Sequence, residues 1–199
     1  MGDNQDFMLG YLIGIRYSDG YIYYENFAGK DIFEIQAIDK SMVDYTSKCL
    51  NKLFNLKTTV KQASRKTRTG NIVWRMRTPA KLLKKALLLN NITNELHKKG
   101  FVSAFYDAEG NISKVSRAIS MANTKRGLLN LVGNYIKELS GKRLNFNIKQ
   151  YKRKKEHPTW KDCFKLNILK GYKGRRQHLN HNFFFELFSP QIQRKIIIL

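Results

Sequence analysis

The chain is poor in cysteine and in acidic residues, and it has no long hydrophobic run. Its two cysteines, Cys49 and Cys163, lack the spacing of metal ligands, and we expect buried, reduced thiols in preference to a disulfide. No secretory leader opens the sequence, and the apolar end Ile196–Leu199 is too short to span a bilayer. We therefore expect an intracellular protein, in the cytoplasm, the nucleoid or an organelle matrix, with no membrane partner.

The scarcity of acidic residues makes the chain strongly basic. Against 15 Asp and Glu stand 37 Lys and Arg, which gives a formal net charge of +22. This excess indicates a polyanionic partner, and it favours nucleic acid over an anionic membrane surface. Hydrophobic residues at 42% and aromatic residues at 12% are typical of a folded protein and not of a disordered basic tail. The 199 residues can form one large domain or two small ones.

One stretch of the sequence, residues 10–20, recurs as residues 100–110 at a constant offset. In both copies a small residue recurs at every fourth position, which on a helix places the small residues on one face. These residues are Gly10, Gly14 and Ser18 in the first copy and Gly100, Ala104 and Ala108 in the second. A smooth face of this kind lets two helix backbones approach closely. We therefore expect two helices packed against each other along these stripes.

Each copy ends in an acidic residue followed by glycine, Asp19–Gly20 and Glu109–Gly110. Glycine after a helix commonly takes the left-handed conformation, and we expect it at both positions. An acid at the negative end of a helix dipole is unfavourable by up to roughly 1 kcal/mol. Packing the two helices brings both acids together, an arrangement that calls for a divalent cation. Either copy alone is also consistent with an ordinary helix that ends in an incidental acid, but the recurrence argues against that interpretation.

The pattern of apolar and polar residues predicts one plan for both parts of the chain, helix–hairpin–helix–hairpin–helix. A boundary at Asn90–Asn91 divides the chain into halves at 1–90 and 91–199. In the first half we predict helices over 6–18, 42–56 and 80–89, with Pro79 in the first turn of the third, and strands over 21–27, 32–38, 57–64 and 71–78. In the second half we predict helices over 93–108 and 125–139, one or two helices over 177–188 and 190–198, a hairpin over 111–122 and strands over 143–151 and 163–169.

Alternation along the predicted strands sets polar, basic side chains on one face and apolar side chains on the other. Arg, Lys and Asn are side chains that bind phosphates and read base edges in a duplex groove. Any antiparallel sheet with one wet face alternates in this way, but recurrence in both halves of a basic chain favours DNA binding. We expect the basic runs 65–68 and 152–155 to clamp phosphates without sequence preference. The candidate DNA-binding residues are Lys57, Lys61, Arg75, Arg77, Arg143, Asn145, Asn147, Lys149 and Lys165.

The two copies of the repeat, Leu12–Gly20 and Val102–Gly110, resemble the paired signature of LAGLIDADG homing endonucleases of the single-chain, two-motif type. The resemblance extends over essentially the whole chain, because the spacing of the motifs and the repeated plan also match. It implies an α+β fold of two pseudosymmetric αββαββα units. In such a fold the two signature helices pack together between the units, and a saddle-shaped antiparallel sheet in each unit lies across DNA.

The resemblance also implies an activity, site-specific cleavage of both strands of a long DNA target by a monomeric intron- or intein-homing enzyme. It implies that Asp19 and Glu109 are catalytic and hold the metal, Mg²⁺ or another divalent cation such as Mn²⁺ or Ca²⁺ in its place. By position after the first hairpin, Lys40 is the main candidate for organising water, and a solvated lysine at a helix start is the alternative. Weaker candidates for catalytic support are Asp39, Asn123 and Lys125.

The sequence departs from the family signature at several positions. Tyr17 replaces the inner aspartate of the first motif, whereas Asp107 keeps it in the second. Arg16 stands where an apolar residue is usual, and Ala104 replaces a glycine. We therefore expect an asymmetric site. Two other functions stay open at this point, an RNA-binding maturase that assists splicing of its host intron, and a non-catalytic protein that binds nucleic acid.

Overall fold

A computed structural model of the protein describes residues 4–67, 69–113, 118–151, 162–170 and 181–191. Within these ranges the chain forms six α-helices and two four-stranded antiparallel sheets, a mixed α+β architecture. One sheet takes its strands from the first part of the chain and the other from the second part. None of the described helices is both long enough and apolar enough to cross a membrane.

The first unit has the element order αββαββα. Its sheet has the strand order β1-β2-β4-β3, with antiparallel neighbours throughout. A turn of 3-10 helix, Leu89–Asn91, follows its last helix. The elements are α1 (Gln5–Tyr17), β1 (Gly20–Glu25), β2 (Lys30–Ala37), α2 (Lys40–Phe54), β3 (Thr59–Lys66), β4 (Ile72–Pro79) and α3 (Leu83–Ala86).

The second unit repeats the same element order, and its sheet has the corresponding strand order β5-β6-β8-β7. The elements are α4 (Glu95–Glu109), β5 (Gly110–Ile112), β6 (Ile119–Asn123), α5 (Arg126–Leu139), β7 (Leu144–Tyr151), β8 (Cys163–Lys170) and α6 (His181–Phe188). The predicted fold class, two pseudosymmetric αββαββα units, is therefore confirmed.

Side-chain caps fix where three of the helices begin. Asn4, Asp39 and Asn94 are the N-caps of α1, α2 and α4. Their side-chain oxygens accept hydrogen bonds from backbone N–H groups two or three residues later, at 2.9, 3.0 and 2.8 Å respectively. Each bond satisfies one donor that the first helical turn leaves without a partner.

Helices α1 and α4 pack against each other with unusually close backbones. A Cβ atom at Gly10 would lie 2.0 Å from the carbonyl oxygen of His97, and one at Gly100 would lie 2.1 Å from that of Phe7. Only glycine fits at such separations. The aromatic and aliphatic side chains on the other faces of both helices are buried in one continuous core. The predicted packing along the small-residue stripe is therefore confirmed.

The predicted left-handed conformation of the glycines that follow the motif acids is wrong. Gly110 has φ −78° and ψ 149°, which is extended backbone, and Gly20 is the first residue of β1. A Cβ atom at Gly110 would lie 2.3 Å from the carbonyl oxygen of Tyr106, and one at Gly20 would lie 2.9 Å from that of Ile15. Glycine is required here because each strand starts directly against the helix that precedes it.

The predicted third helix over 80–89 is also wrong in its extent and in the role of Pro79. Pro79 is the last residue of β4, opposite Ile32 of β2, and the N–H of Ala80 continues the ladder by donating to the carbonyl of Asp31 at 2.8 Å. The strand therefore includes the proline. Helix α3 spans only Leu83–Ala86 as a result.

Arg16, which departs from the signature, binds the end of this short helix. Its Nη1 donates to the carbonyl oxygen of Leu87 at 2.8 Å and to that of Lys84 at 3.2 Å. The last carbonyls of a helix have no partner within the helix, and a cation also suits its negative end. A charge at this position of α1 is thus a structural link to the end of the first unit.

Two candidate DNA-binding residues lie outside the strands on which they were predicted. Strand β3 begins at Thr59, which leaves Lys57 before it, and β7 begins at Leu144, which leaves Arg143 before it. The basic run 152–155 and the predicted end of the chain over 192–198 lie outside the described residues, as does residue 68 of the other basic run. Within the second hairpin, 114–117 also lies outside them.

Both cysteines are buried free thiols, as predicted. Cys49 lies in α2 with no solvent exposure, and Cys163 is the first residue of β8. The Sγ atom of Cys163 lies 3.6 Å from the carbonyl oxygen of Phe164 and 3.9 Å from that of Asn123. The two thiols thus belong to separate units and contribute to packing within each.

Candidate metal site and nucleic-acid interface

Asp19 lies between the end of α1 and the start of β1, where it lines a cleft of about 360 Å³. Gln36, near the end of β2, and Asp39, the N-cap of α2, form one wall. Asp107 and Ala108, from the last turn of α4, form another. The cleft at the acid of the first motif therefore contains residues of the second motif.

Glu109 is the last residue of α4, and it lines a second cleft of about 380 Å³. Asn123, the last residue of β6, and Lys125, the N-cap of α5, form one wall. Tyr17 and Ser18, from the end of α1, form another. The two clefts are thus built in the same way, and both adjoin the packed C-terminal ends of the signature helices.

The acids of the two clefts offer oxygen ligands of the kind that hard divalent cations prefer. Within the described residues, no group of three or more His, Cys, Asp and Glu side chains is placed to hold a metal ion by itself. Mg²⁺ is commonly held by one or two carboxylates together with water and substrate phosphates. Asp19 and Glu109 therefore fit a cation that completes its coordination with DNA and water.

Asn123 supports Glu109 directly. Its Nδ2 donates to Oε1 of Glu109 at 2.9 Å, while its own Oδ1 accepts from the backbone N–H of Lys125 at 2.9 Å. These two bonds fix the amide orientation and, through it, one oxygen of the carboxylate. The structure therefore brings Asn123 and Lys125 to the cleft of Glu109, although their catalytic roles stay a prediction.

On the Asp19 side, Asp39 has a structural task. Its Oδ1 accepts from the backbone N–H of Ser41 at 3.0 Å and from the Ser41 hydroxyl at 2.6 Å, which caps α2. Lys40 is not among the described residues that line the cleft of Asp19. Its Nζ lies 2.7 Å from Oδ2 of Asp44 and 5.3 Å from the ring centroid of Trp74. The geometry is that of an exposed lysine at a helix start, and a catalytic role for it stays a prediction.

Asp107, the inner aspartate of the second motif, links the signature helices. Its side chain is 2% exposed, and its Oδ2 accepts from the Tyr11 hydroxyl at 2.9 Å and from the backbone N–H of Gln191 at 2.9 Å. Burial raises the pKa of Tyr11 well above its usual value, and the Asp107 carboxylate raises it further. Tyr11 therefore stays protonated and donates across the interface.

The polar face of the first sheet brings together three of the predicted residues, Lys61, Arg75 and Arg77. Lys61 of β3 lies opposite Arg75 of β4, and Thr59 lies opposite Arg77. The sequence analysis missed the residue at the centre of this face, Glu34 of β2, which lies opposite Arg77 and is 1% exposed. A single glutamate within an apolar strand was the available signal, since a buried carboxylate needs partners.

Glu34 is held as an anion by its neighbours. Arg75 donates to its Oε2 at 2.8 Å, and the hydroxyls of Tyr21 and Tyr23 donate at 2.7 and 2.9 Å. Gln36 donates a further short hydrogen bond. Burial alone raises the pKa of Glu34, but these hydrogen bonds outweigh it and lower the pKa to about 2.

The polar face of the second sheet has a different composition. Asn147 lies opposite Asn167, whose Nδ2 donates to Oδ1 of Asn147 at 3.1 Å. Lys149 lies opposite Lys165, and Asn145 precedes both pairs as an exposed residue on β7. Arg143 lies away from this face, with its Cζ 5.8 Å from the ring centroid of Phe183 on α6. In the first unit, Lys57 lies beside the end of α2, where it lines a cavity of about 630 Å³.

Comparison with known proteins bears on both the fold and the site. No model of a known protein family matches the chain. An uncharacterized protein of Methanocaldococcus jannaschii is 30% identical over 135 residues, which covers 66% of this chain and 48% of the relative. The chain thus matches about half the length of that relative.

Solved structures give the sharper comparison. The homing endonuclease I-DmoI in complex with DNA and Ca superposes with a TM-score of 0.66 at 16% identity, over 98% of this chain and 97% of that chain. The chain has the LAGLIDADG homing-endonuclease fold. The homing endonuclease I-WcaI, bound to its DNA recognition sequence, matches with a TM-score of 0.56 at 16% identity, over 98% of this chain and 86% of that chain.

The LAGLIDADG fold also occurs in proteins that are not named as homing endonucleases. Full-length WhiA from Thermatoga maritima matches with a TM-score of 0.67 at 10% identity, over 98% of this chain and 59% of that chain. At such identities the likeness shows the fold alone. The activity of this protein therefore has to be argued from its own clefts and polar faces.

Proposed function

We propose that the protein is a site-specific endonuclease that cleaves both strands of a DNA duplex with a divalent metal. The observation that carries this proposal is that each motif acid, Asp19 and Glu109, lies in a cleft lined partly by residues of the other motif. Two carboxylates in adjoining clefts match the two phosphodiester bonds that such an enzyme must cut. The intron- or intein-homing role and the monomeric state belong to the same proposal.

In this proposal Asp19 and Glu109 hold the cation, Mg²⁺ or Mn²⁺ in its place. When bound, such a cation polarises a phosphoryl oxygen and lowers the pKa of a coordinated water. Asn123 keeps one oxygen of Glu109 in a fixed position through its 2.9 Å hydrogen bond. The bond from Tyr11 to Asp107 holds the helices in register, so that both carboxylates keep their positions relative to each other.

The polar faces of the two sheets bind the DNA that the clefts cleave. Lysines such as Lys149 and Lys165 neutralise phosphates, and a net charge of +22 favours rapid, salt-dependent association. Arginine and asparagine side chains on the same faces, such as Arg75 and Asn147, have the donors and acceptors that read base edges. The neighbouring structures with bound DNA support this use of the fold.

Cleavage of an identified duplex tests the proposal. The probe is a duplex that joins the sequences flanking the element that carries this reading frame, incubated with the purified protein and Mg²⁺. We expect a double-strand break at one position, and no product when EDTA replaces Mg²⁺. Asp19→Asn and Glu109→Gln should each lower the cleavage rate by at least about 100-fold, because loss of a metal ligand should exceed the effect of losing its hydrogen-bond partner. Both variants should bind the duplex as tightly as the wild type in Ca²⁺.

Two outcomes would contradict the endonuclease assignment. Specific binding without any cleavage in Mg²⁺ or Mn²⁺ would indicate a DNA-binding protein on this fold. Failure to bind the duplex, together with stimulated splicing of the host intron RNA, would indicate a maturase. Cleavage at the wild-type rate by either variant would leave the nuclease in place but refute the metal-site assignment of Asp19 or Glu109.

A further inference from the structure

The strand registers of the two sheets define equivalent positions. At the start of each unit's sheet, Gly20 lies opposite Ile35 and Gly110 lies opposite Met121. Since each glycine follows a motif acid, the two pairs correspond. Residues the same number of positions along the ladders from these two pairs therefore occupy equivalent places on the two polar faces. The matched pairs are Glu34 with Ser120, Arg77 with Asn167, Arg75 with Lys165, Thr59 with Asn147 and Lys61 with Lys149.

The side chains at the matched positions differ in charge and in chemical type. The first sheet has a buried carboxylate, Glu34, where the second has Ser120, and both residues are largely hidden from solvent at 1% and 4% exposure. Around Glu34 the first sheet has two arginines, where the second sheet has one lysine and one asparagine. No acidic residue lies on the described strands of the second sheet, whereas the first also includes Glu25, which pairs with Arg77.

Glu34 restricts both arginines. Arg75 Nη2 lies 2.8 Å and Arg77 Nε lies 3.0 Å from the same carboxylate oxygen. Arg75 donates a hydrogen bond to Glu34, so it cannot turn to a phosphate without leaving a buried anion short of a donor, which is strongly unfavourable. Arg77 is held by its hydrogen bonds to Tyr23 and Glu25 and by the nearby charge of Glu34. Both side chains nevertheless remain 37% and 35% exposed, so each still presents part of its guanidinium on the face.

A fixed guanidinium suits base reading better than phosphate binding. Arginine donates two parallel hydrogen bonds to O6 and N7 of guanine in the major groove, and the geometry of that contact is demanding. A phosphate accepts a cation from many directions, which a mobile lysine satisfies. Partial neutralisation by Glu34 and Glu25 also weakens the attraction of Arg75 and Arg77 to any phosphate.

We propose that Glu34 is a positioning residue that sets Arg75 and Arg77 to read guanine in the half of the DNA target beneath the first sheet. The second sheet, with Ser120 in the matching place, binds its half through mobile lysines and asparagine amides, and its described strands contain no such fixed reader. The inference rests on the proposed binding of a DNA duplex. The half of the target beneath the first sheet therefore has the stricter sequence requirement.

Base-substitution binding profiles test this inference. The probe is the cleaved duplex with each base pair replaced in turn, and dissociation constants are measured in Ca²⁺ for the full-length wild type, Glu34→Gln and Ser120→Ala. In the wild type, we expect loss of a guanine beneath the first sheet to weaken binding by about 10-fold or more. In Glu34→Gln these penalties should fall to within about twofold, while those in the other half stay unchanged.

The salt dependence of DNA binding is a second measurement, and it would not change if Glu34 had a purely structural role. The freed arginines should reach phosphates in Glu34→Gln, so the slope of log K against log salt should steepen by roughly 0.9 for each new contact. Ser120→Ala is the matched control, because it alters the equivalent buried position without a change of charge. It should leave the profile of the first half and the salt slope as they are in the wild type.

Distinct outcomes overturn the inference and the proposed function. Unchanged guanine penalties in a folded Glu34→Gln, or penalties lost equally in both halves, would refute the positioning role while cleavage by the wild type keeps the endonuclease. A wild type that neither binds nor cleaves any duplex would refute the endonuclease itself. If Glu34→Gln does not fold, Arg75→Lys decides, because it keeps the charge but loses the planar fork. Retained guanine preference in Arg75→Lys would then refute the inference.

Discussion

The two sheets share a topology but differ in how they hold positive charge. On the first, Lys61 lies opposite Arg75, and the like charges are separated because Arg75 is turned to Glu34. On the second, Lys149 lies directly opposite Lys165. Like charges opposite each other destabilise a sheet unless a counter-charge lies between them. One backbone architecture thus supports two arrangements of positive charge. In the first unit carboxylates hold the arginines, and in the second no acidic residue lies on the described strands.

The clefts beside the two motif acids also differ between the units. Asn123, which donates to Glu109, lies opposite Phe164 in its sheet. The matching pair in the first sheet is Ala37 opposite Trp74. Ala37 has no side-chain donor for a carboxylate, so the amide support that Asn123 gives to Glu109 has no counterpart at the matching strand position of the first sheet. The expected asymmetry of the site therefore has a definite origin on β2 and β6.

The largest expected effect comes from the interface that the two units share. Gly10→Ala should lower the free energy of unfolding by about 3 kcal/mol, because its Cβ would lie 2.0 Å from backbone and the helices must separate. Urea unfolding measures the loss, and both units should unfold together. Gly127→Ala in α5 is the control, because nothing lies within 4 Å of its added Cβ, and it should stabilise by roughly 0.5–1 kcal/mol. Equal stability of the two variants would contradict the packing.

The next effect is a pH dependence confined to the first sheet. Because the pKa of Glu34 is lowered from 4.5 to about 2, its contribution is complete above pH 4.5 and is lost as the pH falls towards 2. Its size is on the order of 3 kcal/mol. Glu34→Gln should therefore be less stable than the wild type near neutral pH, and the difference should shrink below pH 4.5.

Urea unfolding of both proteins at neutral and at acid pH measures this dependence. Ser120→Ala should show no change in its difference from the wild type over the same interval, since no acid is removed. A constant difference between Glu34→Gln and the wild type across that interval would mean that the Glu34 carboxylate is not specially stabilised in the folded protein.

Support of the motif acids should differ between the clefts. Asn123→Ala should lower the cleavage rate by about 10- to 100-fold, because Glu109 loses the donor that orients it. The control is Thr124→Ala, on the wall of the same cleft, and its effect should stay within about twofold, as for most surface substitutions. Single-turnover cleavage measures both rates. A similar rate for the two variants would remove Asn123 from the site.

The smallest expected effect concerns Lys40. Its pair with Asp44 is exposed and joins neighbouring helix turns, so Lys40→Ala should lower the free energy of unfolding by only about 0.3–0.5 kcal/mol. Cleavage should fall less than in Asn123→Ala, since Lys40 does not line the cleft of Asp19. Asp44→Ala is the matched control for the pair. A large loss of cleavage in Lys40→Ala alone would support the catalytic role that its position in the sequence suggests.

Sequence reasoning was most successful where a local pattern is strong. The helix predicted over 6–18 is Gln5–Tyr17, and the strand predicted over 143–151 is Leu144–Tyr151. It was least successful where a distant partner decides the conformation. Pro79 belongs to a strand because β2 lies beside it, and Gly110 is extended because it pairs with Met121 of β6.

The sequence by itself determined the repeated plan, the striped helices and the two motif acids, because these depend on spacing along the chain. The tertiary structure alone decided the surroundings of the acids and the chemistry of the sheet faces, because these depend on residues far apart in sequence. Glu34 is an isolated glutamate until the fold brings Arg75 beside it and buries both its oxygens. A buried charge then requires all its neighbours to adapt, and that requirement separates the first sheet from the second.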